Sequence, residues 1–266
     1  MYFASLGSGS KGNTFYLNLN GKNIIIDVGL SMKKINNQLL INVGIDLEDI
    51  ELIFITHEHG DHTNSLFTIL NKYNHIKYIM TRDVYKDIMK RFKKDIPNDN
   101  LMLLEDGRWF KGNSFDVKPI WINHDATNYA YKFIDKSNGE SFCFIGDNGG
   151  IKKKKTREQF IGCDYYAIES NHDLTKQIFS KRNPLLKRRV LSYYGHTHNE
   201  EAMTFLFQLL RENFKGVIFH HLSEECNTPE LARATHEMLL EVWGKKTMFK
   251  DAAMKYATQN DFVDLE

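Results

Sequence analysis

Cysteine is scarce in this 266-residue chain: Cys143, Cys163 and Cys226 are odd in number, widely spaced and in no Cys-x-x-Cys arrangement. That argues against a disulfide scaffold or a thiolate zinc site, and leaves the three as small buried hydrophobes. A long apolar run is missing too. Nothing approaches the ~18 apolar residues that span a bilayer, and the N-terminus passes into a Gly/Ser loop rather than a charged and then apolar leader. A cytoplasmic protein with no membrane partner is expected. Net charge is nearly absent, at +1, far from the basicity of a dedicated nucleic-acid-binding domain. No repeat, low-complexity tract or linker divides the chain, so one domain over residues 1–266 is expected.

What is present suits a layered α/β protein, with 42% hydrophobic residues for the core. Two β-branched and aromatic runs, 14–19 and 23–28, flank Asn20-Gly21, a two-residue hairpin turn, so the chain is expected to begin with a β-hairpin. A helix at 31–40 and an apolar strand at 51–56 follow, with another helix starting near His62. Strand, helix and strand are expected at 76–80, 82–92 and 101–104, then a β-rich middle at 115–121, 129–134 and 141–145. The last third reads as strand 165–169, helix 199–211, strand 216–220 and helix 228–242, with Pro229 in its first turn.

The strand at 51–56 runs into His57-Glu58-His59-Gly60-Asp61-His62. Three imidazoles and a carboxylate fall in the loop beyond a strand's carboxyl end, where α/β folds place ligands. His57 and His59 can reach one metal ion, while Asp61 and His62 face a second, and Gly60 permits the close turn between the pairs. Two ions need more donors, and later strand ends supply them: His124, Asp147 and His221. Asp147 is central in the series and is the candidate bridge. Imidazole and carboxylate donors without thiolate suit Zn²⁺, with Mn²⁺ or Fe also compatible. Between 152 and 189, eleven Lys/Arg face four acids, a charge excess that suits either a solvated face or a phosphate clamp. The Gly7–Gly12 loop lacks the Lys-Ser/Thr ending of a nucleotide-binding P-loop, which argues against an ATPase and for a tight turn near the site.

The arrangement resembles the metallo-β-lactamase superfamily, whose motifs match His57/His59/Asp61/His62, His124, Asp147 and His221 in order, with Asp27 as the structural aspartate. The resemblance implies a four-layer αβ/βα sandwich and a two-metal hydrolase. Segments such as Leu6-Gly7-Ser8-Gly9-Ser10-Lys11-Gly12-Asn13 and Glu169-Ser170-Asn171-His172-Asp173 are similar to the bacterial WalJ/YycJ group, which is associated with DNA exonuclease activity. The chain departs from that group at lysines 152–155 and at Gly195-His196-Thr197-His198-Asn199-Glu200-Glu201-Ala202. The latter resembles a stretch of tRNA-processing RNase Z enzymes and their cyclic-nucleotide phosphodiesterase relatives. By that match His196 is the general acid and Glu169 its orienting partner, and Asp61 joins them as a catalytic residue; His172 and His198 match nothing as clearly and are expected beside the site.

Asp61 and the His196 segment favour phosphate esters. The near-neutral charge, together with resemblance to phage anti-Pycsar enzymes in this Lys/Asn/Ile-rich chain, tips the expectation toward 3′,5′-cyclic mononucleotides in the cytoplasm of a phage host. Similarity to WalJ/YycJ supports the alternative, a DNA exonuclease or RNA nuclease. A homodimer is implied by the resemblance alone.

Overall fold

Asn20 and Gly21 both take positive φ, 48° and 78°, and join β2 (Thr14–Leu19) to β3 (Lys22–Ile26) as the turn chemistry dictates. In this computed structural model, which describes residues 1–244, 249 and 252–265, a further strand, β1 (Tyr2–Gly7), pairs antiparallel with β2. The expected opening hairpin is therefore the second and third strands of a meander. All of β1 but Tyr2 is buried, and a strand covered on both faces carries no alternation to betray it.

Parallel strands β4 (Leu52–Phe54), β5 (Lys77–Thr81) and β6 (Leu101–Leu104) extend the sheet beyond β3. A second sheet starts antiparallel through β7 (Phe110–Lys111), β8 (Phe115–Ile122), β9 (Asn128–Asp135) and β10 (Ser141–Ile145). It continues in parallel through β11 (Tyr165–Glu169), β12 (Gly216–His220) and β13 (Ala253–Tyr256). A short β14 (Val263–Asp264) returns to the first sheet beside β1. The orders are β14-β1-β2-β3-β4-β5-β6 and β13-β12-β11-β10-β9-β8-β7.

Helices on the first sheet are α1 (Met32–Asn42), the single turn α2 (Gly60–Thr63), α3 (Leu66–Lys72) and α4 (Arg82–Phe92). The second half of the chain adds α5 (Lys154–Arg157), α6 (Leu174–Phe179), α7 (Pro184–Val190), α8 (Asn199–Leu209) and α9 (Pro229–Val242). Side-chain alternation explains the layering. Ile24, Ile26 and Phe54 meet Phe142, Phe144 and Ile218 between the sheets. Their neighbours Ile25 and Ile53 pack outward on Ile35, Leu66 and Val84, while Cys143, Val217 and Phe219 pack on Met203, Leu206 and Ala232. Three apolar layers between four layers of structure make the αβ/βα sandwich that was expected.

The strand expected at 51–56 stops at Phe54, because the Thr56 amide turns to the Asp27 carboxylate rather than to a neighbouring strand. The helix expected at 199–211 ends at Leu209. All three cysteines are buried and free. Among the described residues, no helix is long and apolar enough to cross a membrane.

Candidate metal centre

β3, β4, β10, β11 and β12 end at one edge of the sandwich, and the polar residues that follow them converge there. Asp27, one residue past β3, holds a left-handed backbone with φ 59° and a fully buried carboxylate. It accepts from Thr56 N and Oγ1, each at 2.8 Å, and from His62 Nδ1 at 2.7 Å. These bonds set the tautomers. With its Nδ1 proton directed to Asp27, His62 turns Nε2 toward Asp147 Oδ1 at 3.4 Å and Asp61 Oδ2 at 3.6 Å. Thr56 gives its hydroxyl proton to Asp27, so its oxygen accepts from His57 Nδ1 at 2.9 Å, and His57 Nε2 keeps a lone pair. His124, just beyond β8, donates Nδ1–H to Gly195 O at 3.1 Å, so its Nε2 is likewise free, 3.3 Å from His59 Nδ1.

Asp147 follows β10 and lies at the middle. Its carboxylate is 3.1 Å from His221 Nδ1 and 3.9 Å from both His124 Nε2 and His196 Nδ1. His221 follows β12 with φ 57°, a strained setting for a non-glycine residue and one that concentrates at functional sites. Its amide donates to Ser8 Oγ at 2.9 Å, its Nδ1 to Glu169 Oε1 at 2.9 Å, and its Nε2 is 3.5 Å from Asp61 Oδ2.

The donors fall into three groups whose ligand atoms lie within 4.8 Å of one another: His57, His59 and His124; Asp61, His62, Asp147 and His221; and Asp147, Glu169, His196 and His221. The first two contain the seven residues expected as ligands. His57 Nε2, Asp147 Oδ1 and His221 Nε2 are buried with no hydrogen-bond partner, and each such atom costs about 1–3 kcal/mol if nothing satisfies it. Their convergence within these groups fits a binuclear divalent-metal site, and the hard and borderline donors suit zinc or manganese alike.

The two nests differ electrically. Burial, then the neighbouring His62 charge, holds His57 well below the usual histidine range, and burial lowers His124 to about 4. In the other nest burial acts in the same sense but is outweighed: Asp147, Asp61 and Asp27 keep His62 well above its ordinary value, and Asp147, Asp61 and Glu169 raise His221 to about 10. Asp61 is correspondingly held at about 2, burial being overcome by His62 and His221.

Glu169 ends β11, fully buried. Its Oε1 takes His196 Nδ1–H at 2.6 Å as well as His221, and its Oε2 takes the amides of Asn148 at 2.9 Å and Thr197 at 3.1 Å. Against its burial, His196 and His221 hold it at about 2, so it is ionised. With Nδ1 engaged, the far edge of the His196 ring faces a cleft of about 310 Å³, lined also by His59, Asp61, Asp147, Arg182 and Arg189. Two cations of the basic stretch are thus at the site, whereas Lys152 and Lys153 lie over the Tyr193 and Trp121 rings. His172 and His198 pair through a backbone bridge, with rings 6.1 Å apart, and belong to none of the three groups.

The Gly/Ser loop closes the site as a tight turn. Ser8 Oγ donates to Asn13 Oδ1 at 2.7 Å, and Asn13 Nδ2 is 3.2 Å from His62 Nε2 and 3.4 Å from Asp61 Oδ2. Gln259 braces that turn, giving Nε2–H to Gly12 O at 2.9 Å and accepting Lys11 N at 2.8 Å. Sequence reasoning gave no role to Asn13, Thr56, Gln259 or Asp125, whose Oδ1 lies 3.2 Å from His124 Nε2. Asn13 ends the Gly/Ser segment, Thr56 precedes His57 and Asp125 follows His124, so these three stood beside expected features, whereas Gln259 carried no local signal.

A family model described as the metallo-beta-lactamase superfamily matches residues 7–136. The chain is 30% identical over 234 residues to the exodeoxyribonuclease WalJ of Streptococcus pneumoniae, covering 88% of this chain and 86% of that one. It is 28% identical over 244 residues to the exodeoxyribonuclease YycJ of Bacillus anthracis, covering 92% and 90%. Among solved structures, unliganded yeast PDE1 superposes with a TM-score of 0.72 at 14% identity, covering 98% of this chain and 99% of that one.

Proposed function

The chain belongs to the metallo-β-lactamase superfamily, and on that premise we propose that it is a metal-dependent phosphodiesterase that degrades DNA. The reading is supported by the two exodeoxyribonucleases, to which the similarity extends over about nine-tenths of the chain. It displaces the small cyclic nucleotide that the near-neutral charge favoured, since the likeness to yeast PDE1, at 14% identity, is one of fold alone.

His57, His59 and His124 would hold one ion, Asp61, His62 and His221 the other, with Asp147 between them. When bound, two divalent ions, zinc or manganese, supply Lewis acidity at a phosphoryl group and acidify water. The observation that carries the phosphodiester reading is the His196–Glu169 pair at 2.6 Å, opening on the same cleft as Asp61 and Asp147. Glu169 fixes the His196 ring through Nδ1, and the Nε2 edge delivers a proton to the departing sugar oxygen. Arg182 and Arg189 line that cleft as phosphate partners.

Purified protein loaded with Mn²⁺ or Zn²⁺ is offered single- and double-stranded DNA and, in parallel, 3′,5′-cyclic purine and pyrimidine nucleotides. DNA should disappear while the cyclic nucleotides persist; the reverse would overturn the reading. The homodimer belongs to the same proposal. Phe179 and Leu185, 81% and 73% exposed, offer apolar surface for it, and light scattering on the eluting protein tests it.

A further inference from the structure

Arg182 and Arg189 both line the His196 cleft, yet they differ in what they have left to give. Arg182 is largely enclosed, with 15% of its side chain exposed, and all three of its nitrogens are committed: Nε to Glu225 Oε2 at 2.8 Å, Nη1 to Gln177 Oε1 at 3.1 Å and Nη2 to Ser223 Oγ at 2.8 Å. Arg189, 47% exposed, commits only Nε, to Asp125 Oδ2. Its two Nη groups donate to no described residue. Of the acids in the same cleft, Glu225 is answered by Arg182, while Asp61 and Asp147 belong to the proposed ligand set. Arg189 is therefore the cation of this cleft with donors to spare.

The frame around Arg189 is closed. Arg189 is the last residue but one of α7, and the next residue, Val190, accepts His196 N at 2.9 Å through its carbonyl oxygen. A Cβ on Gly195 would lie 2.1 Å from Val190 O and 2.3 Å from Arg189 O, so the helix end and the His196 segment meet as closely as only glycine allows. Gly195 O in turn takes the Nδ1–H of His124 at 3.1 Å, and Asp125 is the next residue along. The ring of contacts returns to Arg189 through the Asp125 carboxylate. It ties together the proposed general acid, a donor of the His57, His59 and His124 nest, and the guanidinium.

Asp125 belongs to none of the three donor groups, but its Oδ1 lies 3.2 Å from His124 Nε2 and 3.6 Å from His59 Nε2. Among the described residues no other Lys or Arg pairs with it; Arg91, in the wall of the same neighbouring hollow, pairs with Glu58 at 3.7 Å. A carboxylate that holds a guanidinium by Nε leaves the two Nη groups as a planar fork for phosphoryl oxygens, a geometry that lysine lacks. We propose that Asp125 is a positioning residue for the reaction: with one oxygen turned to the three-histidine nest and the other on Arg189, it aims the Nη fork of Arg189 at the phosphate in the His196 cleft. The inference rests on the phosphodiesterase reading above and deepens it by naming the residue that grips the phosphate and the one that aims it.

The sign of one effect decides the matter. Binding of inorganic phosphate to zinc-loaded protein is followed by calorimetry, with zinc content and Tm taken on the same samples. Were Asp125 only a negative charge near an anion site, Asp125→Asn would tighten phosphate binding. As a positioning residue, its loss should weaken binding about 10-fold, the scale of one lost charge-assisted hydrogen bond. Arg189→Lys, which keeps the charge but not the fork, should weaken it to a similar degree. Adding Asp125→Asn to Arg189→Lys should weaken it less than ~2-fold further, since both residues act through one contact. Zinc content and Tm should stay at wild-type values throughout. Unchanged or tighter phosphate binding in Asp125→Asn, or losses that add in the double variant, would overturn the assignment. Loss of zinc from Asp125→Asn would overturn it too, by making Asp125 a ligand, as would a wild type that binds no phosphate. DNA cleavage by the same proteins is scored separately: its absence beside the expected phosphate losses would overturn the nuclease reading and leave the Asp125–Arg189 pair standing.

Discussion

Asp27 Oδ2 lies 2.7 Å from His62 Nδ1, with both groups buried, and the same carboxylate orients His57 through the Thr56 hydroxyl. One residue therefore sets a donor in each metal nest. Asp27→Ala is expected to lower zinc affinity about 10–100-fold, as loss of an outer partner to a ligating histidine does. Competition against a chromogenic chelator measures this; unchanged affinity would remove Asp27 from the role.

His196→Ala should retain both ions, since the seven proposed ligands exclude it, and should slow DNA hydrolysis by at least ~10²-fold. Metal content by atomic emission, with kcat on the same sample, tests both halves. Full metal content with a wild-type rate would end the general-acid assignment.

Metal loading should release protons. In the metal-free protein His221 is raised from 6.5 to about 10. The stability from its charged form is fully present below 6.5 and is lost as pH rises through about 10. A divalent ion requires the neutral ring, so it displaces that proton. Zinc titrations near pH 7 should show heats that vary with buffer ionisation enthalpy, and the metal-induced gain in Tm should be larger near pH 8.5 than near pH 6.5. Buffer-independent heats would contradict this.

Gly29 packs against the backbone of the ligand loop, where an added Cβ would sit 1.6 Å from Asp61 O. No flexible side chain can yield there. Gly29→Ala is expected to destabilise the fold by about 3 kcal/mol and to displace Asp61, with loss of metal binding. Urea unfolding gives the first quantity and metal content the second; a variant as stable as the wild type would show that the loop can shift.

The sandwich was legible because its strands announce themselves locally. β10, β11 and β12 keep the bounds expected from their apolar runs; β10 and β12 lead to Asp147 and His221, and β11 ends on Glu169. β1 was hidden by burial on both faces, and α6 and α7, at six and seven residues, are too short for a helical period to stand out of a basic stretch. In the site, the ligands stand in dense or strand-end positions and can be read. Asn13 and Gln259 cannot, because they act across 48 and about 250 residues of chain, and no local pattern encodes such partners. Substrate choice was the least legible, since net charge averages over the one face that matters.

Gln259, which braces the turn at Gly12, is synthesised 38 residues after His221, the final member of the proposed ligand set. A growing chain thus carries every metal donor well before it carries the clamp that holds Asn13 against Asp61. The order of synthesis therefore sets an order of closure: the turn at Gly12 can be braced only after the last metal donor and the 38 residues that follow it have been made.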